Sequence, residues 1–497
     1  MHDVGAGWLM TSLAPSALMV ALVQAAASLP VFLLALPAGA IADSVDRRRY
    51  LIGTMLWSAT GATGLAAATL AGVATPGILL TGTAAIGIGT ALTMPAWAAL
   101  VPEVVPRPQL LAAIALSSLG INLARAVGPA LAGFVISATD PGVVFLLNAL
   151  SFLGIVAVLL RWRRETSPPT LPAERFAAAL RAGLRYVRHA APLRATMVRG
   201  GTFFLFASST WALLPLLARN ELAGDPALYG TLLAAVGLGA VGGAMVLPRL
   251  PARLDRDRLV GVATVLFAAS SLGMAWARAL PGVVAAMLAL GAAWITVLSS
   301  LQVAAQVSLP AWVRARGLAA NMTVFMGSMA VGSALWGRLA DATGIPLALS
   351  LAAAGALLAA AATRSWRIAS DGGDLAPSLH WPSPLVDPDA PTDRGPVMVT
   401  VDYRIPADQA EAFVAAMREV RTQRLRDGAS TWHLFRDTEN MERFVESFMV
   451  ESWLEHLRQH ERVTHADRDV EERVRAFHKG EHPPRVKHLI AAYPWRQ

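Results

Sequence analysis

Four polar side chains lie within otherwise apolar stretches, where they could carry protons or hold a ligand. They are Asp3, Gln24, Asn122 and Arg125. An ionisable group in an apolar membrane helix is costly unless it faces a cavity or a partner, so such positions often mark transport pathways. Asp3 is our candidate protonation site, with Gln24 facing it from the next helix. The alternative for Asp3 is a solvated carboxylate near the outer water interface.

Two further groups of residues carry weaker signals. Arg338 and Asp341 lie three residues apart on one predicted helix, which favours a local ion pair over a substrate site. Aromatic side chains within the apolar runs could line a cavity, but aromatic residues of membrane helices more often face lipid or the interface. We therefore assign none of them to substrate: Trp97, Phe134, Phe203, Phe204, Phe206, Trp211, Trp294 and Phe325.

The composition predicts a membrane protein. The chain has 497 residues, of which 55% are hydrophobic and 15% charged, against about 25% charged in soluble domains. Residues 1–366 have a net charge of +12 and residues 367–497 a net charge of −4. Arginines dispersed between apolar runs favour contact with anionic lipid over nucleic-acid binding. The chain has no cysteine, which excludes disulfides, thiolate metal ligands and cysteine nucleophiles.

Apolar runs recur at the length of a membrane helix, about 20 residues. Residues 1–13 look like half of a further span, so we expect Met1 to be an internal methionine of a longer reading frame. Eleven complete runs follow, at 17–41, 50–73, 77–99, 110–138, 142–160, 195–218, 227–248, 259–277, 282–308, 317–341 and 345–366.

Arginines in alternate loops predict the orientation of these runs. Basic loops stay on the cytoplasmic side, and the first of them is the stretch GAIADSVDRRRYL, residues 39–51. The loops on the other side hold only Arg219 and Arg278. Arg47 and Arg48 are therefore cytoplasmic anchors.

The order of the runs predicts five segments. Residues 1–160 and 195–366 form two six-helix bundles, the first with an incomplete helix, joined by a cytoplasmic linker at 161–194 with an amphipathic helix at Glu174–His189. Residues 367–396 are rich in Pro, Asp and Ser and predict a flexible linker. Residues 397–497 have the pattern βαββαβ, with one polar helix over Ser452–Phe477, and predict a ferredoxin-like α+β domain.

Two motifs resemble those of the major facilitator superfamily. GAIADSVDRRR is similar to the loop signature between the second and third helices of that family, with Gly39, Asp43 and the arginines in place and Asp46 where the family usually has glycine. ARAVGPALAG, residues 124–133, is similar to the antiporter signature typical of exporters. The matching positions are Gly128, Pro129 and Gly133 within this stretch and Gly120 just before it.

The resemblance implies roles for these residues. Asp43 would cap an interface with the second half, near the start of the eleventh helix at Arg316 and Gly317. This contact would favour one conformational state of the transporter. The alternative is that Asp43 is a solvated loop residue. Gly128 and Pro129 would interrupt the fifth helix and help to seal one cavity from the other; the alternative is a kink at a packing seam.

DVGAGWLMTSL, PAWAALVPEVVPR and NLARAVGPALAG further resemble the transmembrane secretion effectors, a subgroup that includes enterobactin-exporter-like proteins. The tail resembles antibiotic-biosynthesis monooxygenase domains, which usually pair into dimers. Its first strand, VMVTVDYRI, has no asparagine of the kind that haem-degrading relatives use, so we expect a regulatory or dimerising role, no enzyme activity and no cofactor. His456 and His460 have a metal-like spacing, but without a third ligand we predict a solvated helix face and no metal.

These observations predict an exporter in a bacterial inner membrane. It would move a small amphipathic compound, of drug or siderophore type, by alternating access in exchange for protons. Its partners would be substrate, protons, lipid and a second copy through the tail, and not nucleic acid. The alternatives are a monooxygenase-like enzyme on a membrane module, and a transporter that works in uptake.

Overall fold

The computed structural model of the chain describes residues 1–14, 16–105, 109–162, 176–247, 255–310, 312–369, 373–381 and 395–492. Within the described helices, the side chains of Asp43, Asn122 and Arg125 are among those that lie outside the described residues. The chain divides into two compact units. The bundle unit comprises residues 1–172, 195–303 and 319–368, and the tail unit comprises 173–194, 304–318 and 369–497.

Thirteen helices precede the tail in the described part of the chain. They are α1 (His2–Leu13), α2 (Ala17–Ser44), α3 (Arg47–Leu70), α4 (Pro76–Val104), α5 (Leu110–Ala138), α6 (Pro141–Arg161), α7 (Phe176–His189), α8 (Ala191–Leu216), α9 (Pro226–Val246), α10 (Arg256–Trp276), α11 (Leu280–Val307), α12 (Arg314–Thr343) and α13 (Ile345–Ala362). A π-helical turn, Leu217–Glu221, extends α8.

Ten of the described helices are long and apolar enough to cross a membrane, namely α2, α3, α4, α6 and α8 to α13. The chain is therefore a multi-pass membrane protein. The run predicted at 110–138 is also helical, as α5, of which Val127–Ala138 is described as apolar. Helix α1 has 12 residues and spans about 18 Å, which is shorter than the ~30 Å hydrocarbon core.

Acidic residues begin several of these helices. Asp140 accepts a hydrogen bond from the Gly142 amide at 2.7 Å, and Asp225 accepts one from the Leu228 amide at 2.8 Å. Each is followed by proline at the first helical position, where no backbone donor is needed. The Asp-Pro pairs thus allow short turns between consecutive spans.

The tail contains a four-stranded antiparallel sheet with the strand order β2-β3-β1-β4. Its elements are β1 (Val397–Arg404), α14 (Ala410–Asp427), β2 (Ala429–Arg436), β3 (Arg443–Val450), α15 (Trp453–Arg462), α16 (His465–Arg475) and β4 (Arg485–Ile490). Val397 and Val399 of β1 are buried, and Phe413 and Met417 of α14 are fully buried in the core of the tail.

The single helix predicted at Ser452–Phe477 is wrong, because the structure has two helices there. Val463 takes an extended conformation after α15. Thr464 then caps α16: its side chain accepts from the Asp467 amide, and the Asp467 carboxylate accepts from the Thr464 amide. This reciprocal capping starts a new helix, which a continuous run of polar residues does not reveal.

Candidate functional site

The arginine-rich connection between α2 and α3 is a tight turn. Asp46 has φ −60° and ψ 114°, and its carboxylate accepts from the Arg49 amide at 2.8 Å to cap α3. The turn therefore needs no glycine here, where the resembling motif has one. Arg48 donates to the Leu159 and Leu160 carbonyl oxygens, at 2.7 and 2.6 Å. These are unpaired carbonyls at the C-terminal end of α6, where a cation is favoured.

The other predicted gating residues of this region are described only in part. Gly39 lies in α2, and a methyl group added there would meet no described atom within 4 Å. Arg47 begins α3 and is half-buried. Asp43 lies in the last turn of α2, but its side chain lies outside the described residues. Its predicted contact near Arg316 and Gly317 therefore stays a prediction.

The glycine–proline motif of α5 brings two helices together at one residue. A methyl group added at Gly133 would lie 2.6 Å from the Pro226 carbonyl oxygen and 2.9 Å from the Gly230 Cα. One added at Gly230 would lie 2.7 Å from the Pro129 carbonyl oxygen. Backbone thus lies against backbone between α5 of the first half and α9 of the second.

Two other glycines of that motif play no such part in the described structure. A methyl group at Gly120 or Gly128 would meet no described atom within 4 Å. Asn122 and Arg125 lie on the same helix, but their side chains lie outside the described residues. The close approach therefore depends on the last glycine of the motif.

The predicted proton site is not assembled as a pair. Asp3 is exposed in α1, and Gln24 donates its amide N–H to the Ser28 hydroxyl at 3.1 Å, one turn along its own helix. The described residues contain no hydrogen bond between Asp3 and Gln24. Asp3 is near Tyr229 of α9 in the second half, where its carboxylate charge acts on the phenol.

Asp341 has a partner that sequence reasoning missed. Its carboxylate accepts from the Ser16 hydroxyl at 2.8 Å and from the Ala17 and Leu18 amides at 2.6 and 3.2 Å. The structure thus directs Asp341 to the start of α2 in the first half rather than to Arg338. A carboxylate is a common partner of the free amides at a helix N-terminus. No spacing in the sequence predicts that residues 16 and 341 are in contact.

Arg219, in the π-helical turn after α8, makes a third contact between the halves. Its guanidinium donates to the Thr11 and Ser12 hydroxyls, at 2.8 and 2.6 Å. It also lies 5.7 Å from the Trp8 ring centroid, and Trp8 stacks with Tyr229 at 6.2 Å. Arg219 was one of two arginines in the loops away from the arginine-rich side, and this was the sequence signal for the contact.

These three contacts lie at the same end of the bundle, which we call the seam. Each lies beside a connection on the side away from the arginine-rich loops: Thr11 is near the end of α1, Gly133 is near the end of α5, and Asp341 is near the end of α12. The seam consists of Arg219 with Thr11 and Ser12, Gly133 with Gly230, and Asp341 with Ser16, Ala17 and Leu18. It joins the two halves by hydrogen bonds and backbone packing.

Aromatic side chains gather in the second half. Phe204 lies 4.1 Å from Phe325 and 5.4 Å from Trp294, and Trp211 lies 5.1 Å from Trp294, all between ring centroids. A cavity of about 30 Å³ adjoins Phe204 and Phe325 and is also lined by Gln302 and Asn321. By contrast, Phe134 is 68% exposed and Trp97 is 42% exposed. The structure thus separates an aromatic cluster on α8, α11 and α12 from outward-facing rings.

The tail unit buries a network of charged groups. Arg424 donates to Glu446 at 3.0 Å and to Glu471 at 2.6 Å. Burial alone would raise the pKa of Glu471, but Arg424 and hydrogen bonds from His380 and Trp381 lower it to about 2. His380 and Trp381 belong to residues 373–381, within the predicted flexible linker, so part of that segment is held against the tail.

The helix α7 and the α11–α12 connection pack with the tail inside the same unit. Tyr186 of α7 donates its hydroxyl to the Ser308 carbonyl at 3.0 Å, and burial raises its pKa. Arg462 of α15 lies 4.4 Å from the Trp312 ring centroid. Arg181 pairs with Glu451 at 2.9 Å. The amphipathic helix predicted from sequence is thus present, and one of its faces contacts the tail.

Comparison with known proteins agrees with a transporter fold. A solved bacterial homologue of the human lysosomal transporter Spinster, in an inward-facing, unoccupied conformation, aligns with a TM-score of 0.53 at 16% identity and covers 74% of this chain and 96% of its own. The nucleoside transporter NupG aligns with a TM-score of 0.57 at 12% identity and covers 73% and 94%. Both alignments show that this chain shares the fold of these two proteins.

Comparison with family models assigns the chain to a narrower group than the fold does. The family model described as transmembrane secretion effector matches residues 1–494. The chain therefore belongs to the transmembrane secretion effector family. The staphyloferrin A transporter of Staphylococcus aureus is 23% identical over 273 residues, which cover 55% of this chain and 68% of that protein.

Proposed function

We propose that this transporter exports a small amphipathic compound across a bacterial inner membrane by alternating access. The observation that carries the proposal is the seam, which joins the two halves at one end of the bundle through α1, α2 and α5. A transporter that rocks its halves must break such contacts once per cycle. A few hydrogen bonds and one close helix contact suit this role, because each contributes only about 0.5–3 kcal/mol.

The end of the bundle with the arginine-rich loops would form a second gate, on the side of the membrane opposite to the seam. Asp43 would stabilise contact with the second half there, near the start of α12, with Gly39 and the adjacent arginines shaping the turn. Arg48 supports this by holding the start of α3 to the end of α6, so that the loop moves with the first half as one body. Positive loops at this end support a cytoplasmic placement.

The substrate would bind beside the aromatic cluster. Phe204, Trp294 and Phe325 offer apolar ring faces, and Gln302 and Asn321 offer hydrogen-bonding groups beside them. Apolar walls with few polar groups give an amphipathic molecule both affinity and orientation. The present cavity of about 30 Å³ has room for about one water, so the site would have to widen as the halves move. The staphyloferrin A transporter among the relatives favours a siderophore as one such substrate.

Proton exchange would drive export. Asp3 is the candidate carrier, since it is a carboxylate in an apolar helix that lies beside the seam. Gln24, Asn122 and Arg125 stay candidates for the same pathway. Protonation of Asp3 would remove a charge close to Tyr229 and so change the contact of α1 with the second half.

The tail would be a cytoplasmic, ferredoxin-like regulatory domain. Its strand order β2-β3-β1-β4 with all neighbours antiparallel supports this fold. The sheet face that carries Met398, Met449 and Leu489 lies opposite the buried valines, and Leu489 is 49% exposed. A second copy could cover this apolar face and give a homodimer.

The test is efflux of a lipophilic fluorescent dye, and of a ferric or iron-free siderophore, from cells that lack their own pumps. We expect efflux from cells that express the chain, and its loss with a protonophore or with Asp43→Asn. Asp46→Asn is the matched control, because asparagine caps a helix as well as aspartate does. Accumulation instead of efflux would replace the proposal with uptake, and no movement of either compound would contradict it.

A further inference from the structure

Three histidines of the tail meet around one point, although only two are close in the sequence. His456 and His460 lie one turn apart on α15, and His488 comes from β4. Their ligand atoms all lie within 4.8 Å of one another. His456 Nε2 and His460 Nε2 are 3.3 Å apart. The fold thus supplies the third ligand that the spacing on the helix alone does not predict.

The distances suit a tetrahedral metal ion. Zinc–nitrogen bonds of about 2.0–2.1 Å in a tetrahedron place two ligand atoms about 3.3–3.4 Å apart. The separation of His456 Nε2 and His460 Nε2 already has this value. His488 is half-buried on β4, at the edge of the sheet, and its ligand atom lies within 4.8 Å of those of His456 and His460.

One hydrogen bond orients His456 for metal binding. The Nδ1 atom of His456 lies 3.1 Å from the Gln459 amide oxygen. A proton on that Nδ1 leaves Nε2 with a free lone pair towards the cluster.

The surroundings form a partly closed, uncharged wall. The Trp453 ring lies 5.4 Å from His456 and 5.6 Å from His488, and the Trp381 ring lies 5.0 Å from His460. Arg424 is a buried cation whose charge acts on His456 and His460, and it pairs with the carboxylates of Glu446 and Glu471.

We propose that the tail binds one zinc ion through His456, His460 and His488, with the fourth position left to water or an exogenous ligand. Three imidazoles are typical of borderline ions such as Zn²⁺ rather than of Mg²⁺ or Ca²⁺. The half-buried His460 and His488 give the ion an entry path. The proposal concerns the tail alone and does not depend on the direction or the substrate of transport.

The test uses the full chain, purified in detergent with a tag that contains no histidine, stripped with a chelator and titrated with Zn²⁺ against a chromophoric competitor. We expect one zinc ion per chain and, with Co²⁺, the visible absorption of a tetrahedral site. His460→Ala and His488→Ala should each weaken zinc binding by at least about 100-fold, more than the 10- to 100-fold loss typical of outer-shell changes.

His465→Ala is the matched control, because His465 begins α16 and lies outside the cluster. It should keep the affinity of the unchanged chain. The elution volume in size-exclusion chromatography checks that each variant is folded. If His488→Ala does not fold, the zinc affinity of His460→Ala tests the proposal. Equal affinity in His460→Ala and the unchanged chain, an equal loss in His465→Ala, or no zinc bound to the unchanged chain would overturn the proposal.

Discussion

Asp341, near the end of α12, caps the start of α2 by accepting from the Ala17 amide at 2.6 Å and from the Ser16 hydroxyl at 2.8 Å. An N-cap usually comes from the residue just before its own helix. Here it comes from a helix of the other half of the molecule, more than 300 residues later. Stability of the α2 terminus is thus coupled to contact between the halves.

Removal of this cap should loosen the seam. Asp341→Ala removes a carboxylate worth about 0.5–2 kcal/mol at a helix N-terminus, which is roughly a 2- to 30-fold change in the equilibrium between closed and open seam. Because the chain has no cysteine, a single Val20→Cys substitution at a buried position of α2 provides a unique label site. We expect Asp341→Ala to raise its rate of maleimide labelling by a similar factor.

Asp140→Ala is the control for that experiment. Asp140 also caps a helix, but its bond to the Gly142 amide stays within the first half. Labelling of Cys at position 20 should therefore stay at the rate of the unchanged seam. Equal acceleration by both substitutions would mean that general destabilisation, and not the seam, controls access.

A methyl group at Gly133 should disturb transport far more than one at Gly128. At Gly133 it would meet the Pro226 carbonyl oxygen at 2.6 Å, a clash with backbone that cannot move aside. Overpacking of this kind costs about 1–3 kcal/mol. We expect Gly133→Ala to reduce dye efflux about 10-fold or more and to lower the melting temperature in detergent.

Gly128→Ala is expected to leave both efflux and melting temperature close to those of the unchanged chain, because no described atom lies within 4 Å of the added methyl group. Both variants change the same residue type in the same helix. Equal effects would show that helix flexibility matters here more than the contact with α9.

The contact of Arg462 with Trp312 should help to hold α15 against the α11–α12 connection. The guanidinium lies 4.4 Å from the ring centroid and also donates to Glu455 at 2.6 Å. A partly desolvated cation–π contact contributes about 0.5–2 kcal/mol. We expect Arg462→Ala to speed amide hydrogen exchange in α15 and in residues 304–310, measured by mass spectrometry on the full chain.

Arg473→Ala removes another arginine of the tail as the control. Both side chains of its ion pair with Glu419 are solvent-exposed. Exposed ion pairs contribute about 0–1 kcal/mol to the free energy of unfolding. Exchange in residues 304–310 should not change. A faster exchange there in both variants would contradict a specific role for Arg462.

The histidine cluster should make the metal-free tail less stable in mild acid. His456 and His460 have pKa values of about 3 and about 4 in the folded tail, against about 6.5 when unfolded. Between these values the unfolded state binds more protons, so stability falls as the pH falls from about 6.5 towards 4. The effect is absent above the unfolded pKa, where both states are neutral.

This dependence is measured by hydrogen exchange of the tail in the chelator-treated full chain at pH 7, 6 and 5, after correction for the intrinsic exchange rate. His460→Ala should flatten the dependence, because one of the groups that must take up a proton is gone. His465→Ala should leave it unchanged. A tail of equal stability from pH 7 to pH 5 would contradict the burial of neutral histidines.

Physical rules that act along the chain explain why much of the fold was predictable. Apolar length predicted the spans, and the alternation of apolar and polar residues predicted the strands of the tail. The break at Thr464 was missed because capping by Asp467 competes with a helix-forming run on both sides. Asp46 stands where the resembling motif has glycine, and there its carboxylate caps α3 with a negative φ.

The amino-acid sequence by itself determined that this protein crosses a membrane many times, which loops between the spans are rich in arginine, and that a polar tail follows. These features were predictable because hydrophobic length and charge act locally. Only the tertiary structure decided that Asp341 caps α2, that Gly133 and not Gly128 meets α9, and that His488 joins His456 and His460. Each of these depends on two segments far apart in the chain whose distance is set by packing. No pattern within either segment contains that information.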